Sequence, residues 1–295
     1  MTVCVLSYNY EKYIHLCLQS LVEQKTDFIF EVIVGDDCST DGTKAIIEKF
    51  AVKYPEIVKP VYQTRNIGPI PNYMDIHRRA LGVYVAHMDG DDYALPGKLQ
   101  MQSDKLDSET GVNILWHRML MFNESGTRKA YPDENAPFLD VNISRGDLML
   151  YGPFGPHSAT MYRRETFSLR YKDFPAIDWI LSVDLMGTGT GIMMKEVLGA
   201  YRVHSQGMSG GAVANRATRE WLCNCQLELI RRFPEYKSLT ALRALLVAFL
   251  DLVRFQRFFL LSLKVFLKAR AFPNIFALLK LVKFYQFSKL PPEFK

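Results

Sequence analysis

The chain has 295 residues, of which 48% are hydrophobic and 23% charged, enough to bury a large core and too apolar to be disordered in bulk. No stretch approaches the roughly 18 to 20 uninterrupted apolar residues of a membrane-spanning helix, and Val3-Cys4-Val5-Leu6 reads as a strand with no charged leader before it, so a cytoplasmic protein is expected. The net charge of +5 hides an asymmetry: residues 241–295 hold ten Lys and Arg against Asp251 and Glu293, which leaves 26 basic and 29 acidic residues in the first 240 and argues against a nucleic-acid surface.

In chain order, short β-branched runs predict strands at 2–7, 29–35, 57–63 and 83–89, with helices near 12–24, 42–53 and 72–81 between them. This alternation is that of a mostly parallel α/β sheet covered by helices. Such sheets bind ligands beyond the carboxyl ends of their strands, so the loops at 7–13, 36–42, 65–72 and 89–96 are the ones to watch. From about 110 the pattern loosens into strands at 112–122, 157–163 and 191–203, a helix near 144–151 and another opening at Asp178. Gly and Pro between 126 and 156 predict loops shaped around a second ligand. Cys4, Cys17, Cys38, Cys223 and Cys225 are odd in number and lack disulfide or zinc spacing, as a reducing compartment would leave them.

Two acidic blocks stand at strand ends. Asp89-Gly90-Asp91-Asp92 closes the strand at 83–89, and Asp89 and Asp91, two apart in an extended stretch, would point to one side. Hard oxygen donors of this kind suit Mg²⁺ or Mn²⁺ completed by phosphate oxygens and water; a solvated acidic turn is the alternative. In Asp36-Asp37-Cys38-Ser39-Thr40-Asp41-Gly42-Thr43, a carboxylate can accept a hydrogen bond from an imide N–H such as that of uracil, or cap the helix that follows, a role that fits Asp41 better than Asp37. Tyr8 and Tyr10 are placed either to stack on a base or to form an aromatic rim.

Together with Val5-Leu6-Ser7-Tyr8-Asn9, Asn66-Ile67-Gly68 and Pro96-Gly97-Lys98-Leu99-Gln100, these blocks occur in an order that resembles glycosyltransferase family 2, the inverting GT-A enzymes, and most of all its bacterial surface-polysaccharide branch. The resemblance spans roughly residues 2–210. It implies a GT-A fold with a C-terminal helical extension: a nucleotide-sugar half at 1–110, an acceptor half at 111–212 and a basic helical tail at 213–295. It further implies transfer of a sugar from a nucleotide-diphosphate donor, by preference a UDP-sugar, to a glycan or lipid-linked acceptor, with Mn²⁺ or Mg²⁺ as cofactor. Asp37 matches the family's base-binding aspartate, and Ser7, Tyr8 and Tyr10 the loop against the nucleotide. Arg65 and Asn66 fall near base and ribose, Asp89 near the ribose, and Asp91 at the metal. The role of Asp92 stays open.

Inverting transfer needs one base to take the acceptor's proton. Phe174-Pro175-Ala176-Ile177-Asp178-Trp179 resembles the family block whose aspartate opens a helix under the acceptor, which implies Asp178 as base, although an N-cap has the same geometry. Ile177 stands where many members carry Glu, so a second carboxylate is in doubt. Asp184, six residues on, is turned by about 240° and cannot face the same acceptor. Tyr201-Arg202-Val203-His204-Ser205 resembles the family's closing block, with Arg202 as a charge clamp on the diphosphate and His204 as a metal ligand or phosphate donor, and with the Gly-rich 205–211 as a lid. His157 and Ser158 fall on the acceptor side with no assigned chemistry.

Plotted as one helix, residues 243–268 place Arg243, Arg254, Arg257, Lys264 and Lys268 within an arc of about 80°. Such a helix lies on an anionic membrane surface, at the inner face of the plasma membrane, or packs on the catalytic domain with its basic side to water. Two other readings remain at this point. A strand followed by Asp89-Gly90-Asp91 also resembles the nucleophile loop of aspartyl-phosphate phosphatases, and a membrane-docked scaffold could bind nucleotide without turnover.

Overall fold

A computed structural model describes residues 1–126, 128–167, 178–204, 216–253, 259–273, 275–279 and 281. The first half is built as the alternation predicts: β1 (Thr2–Ser7), α1 (Ile14–Val22), β2 (Glu31–Asp36), α2 (Thr43–Lys53), β3 (Val58–Tyr62), α3 (Pro69–Arg79) and β4 (Tyr84–Asp89). The second half adds β5 (Tyr93–Ala94), α4 (Lys98–Ser108), β6 (Val112–Asn123), β7 (Arg128–Tyr131), β8 (Asn142–Ile143), α5 (Arg145–Tyr151), β9 (Met161–Arg163), α6 (Asp178–Leu185) and β10 (Thr190–Val203). The tail contributes α7 (Arg216–Arg232), α8 (Lys237–Val253) and α9 (Phe259–Ala269).

Among the described residues all ten strands join one sheet, in the order β3-β2-β1-β4-β9-β6-β10-β5, with β7 on β6 and β8 on β10. The β3-β2-β1-β4 part is parallel. β9 is antiparallel to both β4 and β6, and β10 runs parallel to β6, so β1, β2, β4 and β10 end on the same edge. The sheet is covered on both faces, and the period of two sorts its side chains. Val3, Val5, Val32, Val34 and Met88 share one core with Ile14, Leu18 and Ile47 of α1 and α2. Cys4, Ile33 and Val85 share the other with Tyr73 and Ile76 of α3.

Three departures from the sequence expectation bear on the site. α3 begins at Pro69, three residues early, because Gly68 turns the chain at φ 90° and proline is favoured in a first helical turn. α4 was not expected at all. The face it buries carries Lys98, Leu99, Gln102, Ser103 and Leu106, so three of five inward residues are polar and the apolar period is erased. The strand expected over 157–163 is a tight 3₁₀ turn at His157–Ala159 followed by the short β9.

The tail is not the single helix drawn over 243–268. α8 and α9 fold back on each other: Ala244 and Val265 meet in one buried cluster, although a straight helix would hold them about 31 Å apart. Arg243, drawn on the outward arc, instead packs inward. It donates to the Leu150 carbonyl (3.3 Å) at the carboxyl end of α5, and its guanidinium lies 4.6 Å from the Trp179 ring. A cation at a helix C-terminus and over an indole face is attracted twice. A Cβ on Gly152 would come within 2.8 Å of that guanidinium, so this contact needs the glycine. Lys264 and Lys268 do point to water, while Arg254 and Arg257 lie outside the described residues.

Candidate active site

The ends of β1, β2, β4 and β10 bring most of the expected residues to one edge. The loop after β1 and the loop after β2 are laced together: Asn9 N–H donates to Ser39 Oγ (2.9 Å), Thr40 N–H to Asn9 Oδ1 (2.8 Å), Tyr10 N–H to Thr43 Oγ1 (2.8 Å) and Glu11 N–H to Asp41 Oδ2 (3.1 Å). Asp41 also accepts from Thr43 N–H (3.0 Å) at the start of α2, but the N-cap itself is Gly42, with no side-chain cap, so Asp41 braces the loop before the helix and does not cap it. Asp37 is buried, and its two oxygens accept from the backbone N–H groups of Ile67 and Gly68, both at 2.8 Å. It therefore fixes the third loop as well, with its second lone pairs left for a ligand. Asn66 and Arg65 are exposed on that loop, Tyr8 is exposed, and Ser7 Oγ is buried with no partner among the described residues.

The Asp89-Gly90-Asp91-Asp92 block is a turn, not an extended stretch. Asp92 N–H donates back to the Asp89 carbonyl (3.0 Å), so strand alternation stops at Asp89. Gly90 is needed here, since a Cβ would stand 2.7 Å from the Leu6 carbonyl oxygen of β1. The three carboxylates then have different neighbours. Asp89 Oδ1 lies 3.2 Å from His87 Nε2, and its backbone N–H donates to Ser158 Oγ (2.9 Å). Asp91 Oδ2 lies 3.0 Å from His204 Nε2. Asp92 is buried, accepting from Ser158 Oγ (2.6 Å) and from the backbone N–H of Arg202 (2.8 Å).

Burial pushes all three acids up, and their mutual repulsion adds to it for Asp91 and Asp92. Burial and the same carboxylates raise the Tyr10 phenol. Arg202 braces the turn through Nε to the Asp91 carbonyl (3.0 Å), its guanidinium held 4.6 Å from the Tyr13 ring and 4.5 Å from that of Phe122.

Beneath the acids sits a cation that the sequence reading passed over. Lys98 is fully buried, and its Nζ reaches Gln102 Oε1 (3.0 Å), the Ser158 carbonyl (3.0 Å) and His117 Nε2 (2.7 Å). His117 Nδ1 is committed to the Arg118 carbonyl (2.8 Å), so its Nε2 accepts. Three acceptors for three ammonium protons match the charged form. Burial draws the lysine down to about 7, with Asp92 opposing.

A divalent ion fits this arrangement. Asp91 and His204 present a carboxylate oxygen and an imidazole nitrogen 3.0 Å apart, both nearly buried, and His204 Nδ1 has no partner among the described residues. A cation would also relieve the repulsion that holds the acids' affinity for protons high. On the opposite side, Asp178 opens α6 with 46% of its side chain exposed, 3.5 Å from His157 Nδ1. Partial desolvation by the surrounding protein raises its pKa, His157 opposes and Asp89 adds to the rise. Asp184 is tied to Arg232 (2.7 Å) and faces away. The segment before Asp178 and the expected lid at 205–211 lie outside the described residues.

Residues 2–169 match the model of Glycosyl transferase family 2. An uncharacterized protein of Mycobacterium bovis is 33% identical over 266 residues, covering 87% of this chain and 70% of its own length. The poly(ribitol-phosphate) beta-N-acetylglucosaminyltransferase TarS of Staphylococcus aureus is 35% identical over 147 residues, 49% of this chain and 25% of that protein. Among solved structures, S. aureus TarS 1–349 in complex with UDP-GlcNAc superposes with a TM-score of 0.62 at 22% identity, over 83% of this chain and 71% of that one. The mannosyltransferase PcManGT of Pyrobaculum calidifontis, in complex with GDP-Man and Mn²⁺, superposes with a TM-score of 0.63 at 18% identity, over 99% and 81%. The GT-A fold and the ordered strand-end loops thus agree with the sequence match, and the chain belongs to glycosyltransferase family 2.

Proposed function

We propose that this glycosyltransferase uses a UDP-sugar, inverts the anomeric centre, depends on Mn²⁺ or Mg²⁺, and builds a cell-surface polysaccharide on a glycan or lipid-linked acceptor. The observation that carries the reading is the Asp91–His204 pair at the end of β4 and β10, facing the loops that Asp37 locks together. Asp91 and His204 would hold the ion, which when bound neutralises charge on the leaving diphosphate. Ser7, Tyr8, Tyr10, Arg65 and Asn66 line the loops where base and ribose would lie, with Asp37 accepting from the base and Asp89 near the ribose. Arg202 steadies the turn that carries Asp91 and would clamp the diphosphate beside it. Asp178, on the acceptor side, takes the proton of the attacking hydroxyl, and its raised affinity for protons makes it a stronger base than a solvated aspartate.

A thermal-shift and hydrolysis screen of nucleotide sugars with Mn²⁺, Mg²⁺ or EDTA tests the whole. UDP-GlcNAc with Mn²⁺ should raise Tm and release UDP, and EDTA should abolish both. A flat response to every nucleotide sugar with metal present would defeat the reading, and binding without turnover would leave the scaffold alternative.

The tail supports docking at the inner membrane face. No helix among the described residues is long and apolar enough to cross a membrane. Phe249 and Leu252 on α8 and Leu260 and Leu267 on α9 are nevertheless more than half exposed, beside the outward Lys264 and Lys268. Apolar side chains interleaved with cations suit an anionic interface. The protein should float with vesicles containing phosphatidylglycerol and stay behind with pure phosphatidylcholine; equal behaviour on both would refute docking by charge.

A further inference from the structure

His157 is a near-buried imidazole that the transfer reading leaves unused. It sits in a turn closed at both ends by backbone bonds, Ala159 N–H to the Pro156 carbonyl and Thr160 N–H to the His157 carbonyl, both at 3.0 Å. Its ring lies 3.9 Å from that of His87 and 5.0 Å from that of Tyr73, nearly parallel to the latter at 17°.

His87 is itself tethered at both ring nitrogens. Its Nδ1 meets His77 Nε2 (3.0 Å), and His77 Nδ1 meets the Tyr162 hydroxyl (2.7 Å). If Asp89 accepts from His87 Nε2–H, every tautomer in this row is fixed: each ring donates from Nε2 and accepts at Nδ1, and Tyr162 donates at the far end. Burial keeps the row neutral, drawing His87 down to about 3 and His157 to about 4. His157 is thus pressed against a rigid wall. Its Nδ1 lies 3.5 Å from Asp178 Oδ1, and its Nε2 is buried without a partner among the described residues.

We infer that His157 is a positioning residue for Asp178: its Nδ1–H holds the carboxylate in the orientation that faces the acceptor, and the wall of His87 and Tyr73 keeps the imidazole from turning. The inference rests on the reading of Asp178 as base. The 3.5 Å separation is just beyond a hydrogen bond, and contacts of this kind tighten in the substrate complex. The neutral ring carries its proton on Nδ1, opposite to the row behind it, because the nearest acceptor on that side is a carboxylate.

Two measurements on the full chain test this. The first is nitrogen NMR of ¹⁵N-histidine protein, with the His157 signal assigned by its loss in His157→Asn. The wild type should show Nδ1 protonated, and Asp178→Ala should move the proton to Nε2; an unchanged tautomer overturns the inference. The second is UDP release from UDP-GlcNAc with Mn²⁺. His157→Ala should lower kcat by at least about tenfold with KM and the Kd for UDP within about twofold. His157→Asn, whose side-chain N–H overlays Nδ1, should recover most of kcat, and His157→Gln, which overlays Nε2, should not. Equal kcat in wild type and His157→Ala, or no recovery in His157→Asn, overturns it. A tautomer shift in a protein that binds no UDP would uphold the His157 contact and sink the donor reading instead.

Discussion

Asp91→Asn is expected to lower turnover by about 10³-fold or more while raising the Tm of the metal-free protein. The two effects have one cause. Asp89, Asp91 and Asp92 are crowded at the end of β4, and burial of all three, with repulsion added for Asp91 and Asp92, makes each harder to ionise than a free aspartate. In the unfolded chain these acids titrate near pH 3.9. Between that value and their raised values the native state binds more protons than the unfolded state, so this cluster's contribution to stability is largest at low pH and declines as pH rises. An amide at position 91 removes one of three charges and can still bond to His204.

Metal acts with the opposite sign. Its ligands must be deprotonated, so affinity increases with pH, and the stability it adds grows over the window in which the empty cluster loses it. At a free concentration 100 times Kd, a bound ligand adds about 2.7 kcal/mol, roughly 4 °C for a chain of this size. Differential scanning fluorimetry with Mn²⁺ and UDP should therefore show a larger shift at pH 7.5 than at pH 5 in the wild type. In Asp91→Asn the shift should be absent at both. A wild-type shift that shrinks toward pH 7.5, or one retained in Asp91→Asn, would remove Asp91 from the metal site.

The acidic turn was legible because its chemistry is local. Four adjacent residues at a strand end announce themselves, and so does the loop that Asp37 organises. The partners that shape the turn were not legible, because they arrive from across the sheet. Ser158, bonded to Asp89 and Asp92, comes from a turn 66 residues beyond Asp92. Lys98 is hidden for another reason. A lysine in a polar helical stretch reads as solvent-facing, and only the depth of Gln102, His117 and the Ser158 carbonyl shows that it is a core residue. The tail misled through periodicity. The charge arc over 243–268 is real as arithmetic, but small residues such as Ala244, Ala248 and Ser262 let two helices close on each other, and Arg243 finds better partners in Trp179 and Leu150 than in water. Helical wheels hold within one helix and say nothing across a reversal of the chain.

Asp178→Asn separates proton transfer from donor binding. General-base removal costs about 10² to 10⁴ in rate, and kcat should fall within that range. The affinity for UDP with Mn²⁺ should be unchanged, because Asp37 is held by Ile67 and Gly68 and Asp91 by His204, none of them on α6. The pH profile gives a second, independent mark. A base must be ionised to act, so kcat should rise with pH through the pKa of Asp178, which partial desolvation places above the ordinary aspartate value. The asparagine variant should lack that limb. Asp184→Asn supplies the contrast. It breaks the 2.7 Å ion pair to Arg232, which keeps Glu228, and should lower Tm, yet it lies on the other side of α6 and should leave kcat intact. If Asp178→Asn retained full transfer while Asp184→Asn lost it, the acceptor would have to approach from the opposite face of the helix, where Arg232 already neutralises the only carboxylate that α6 presents there.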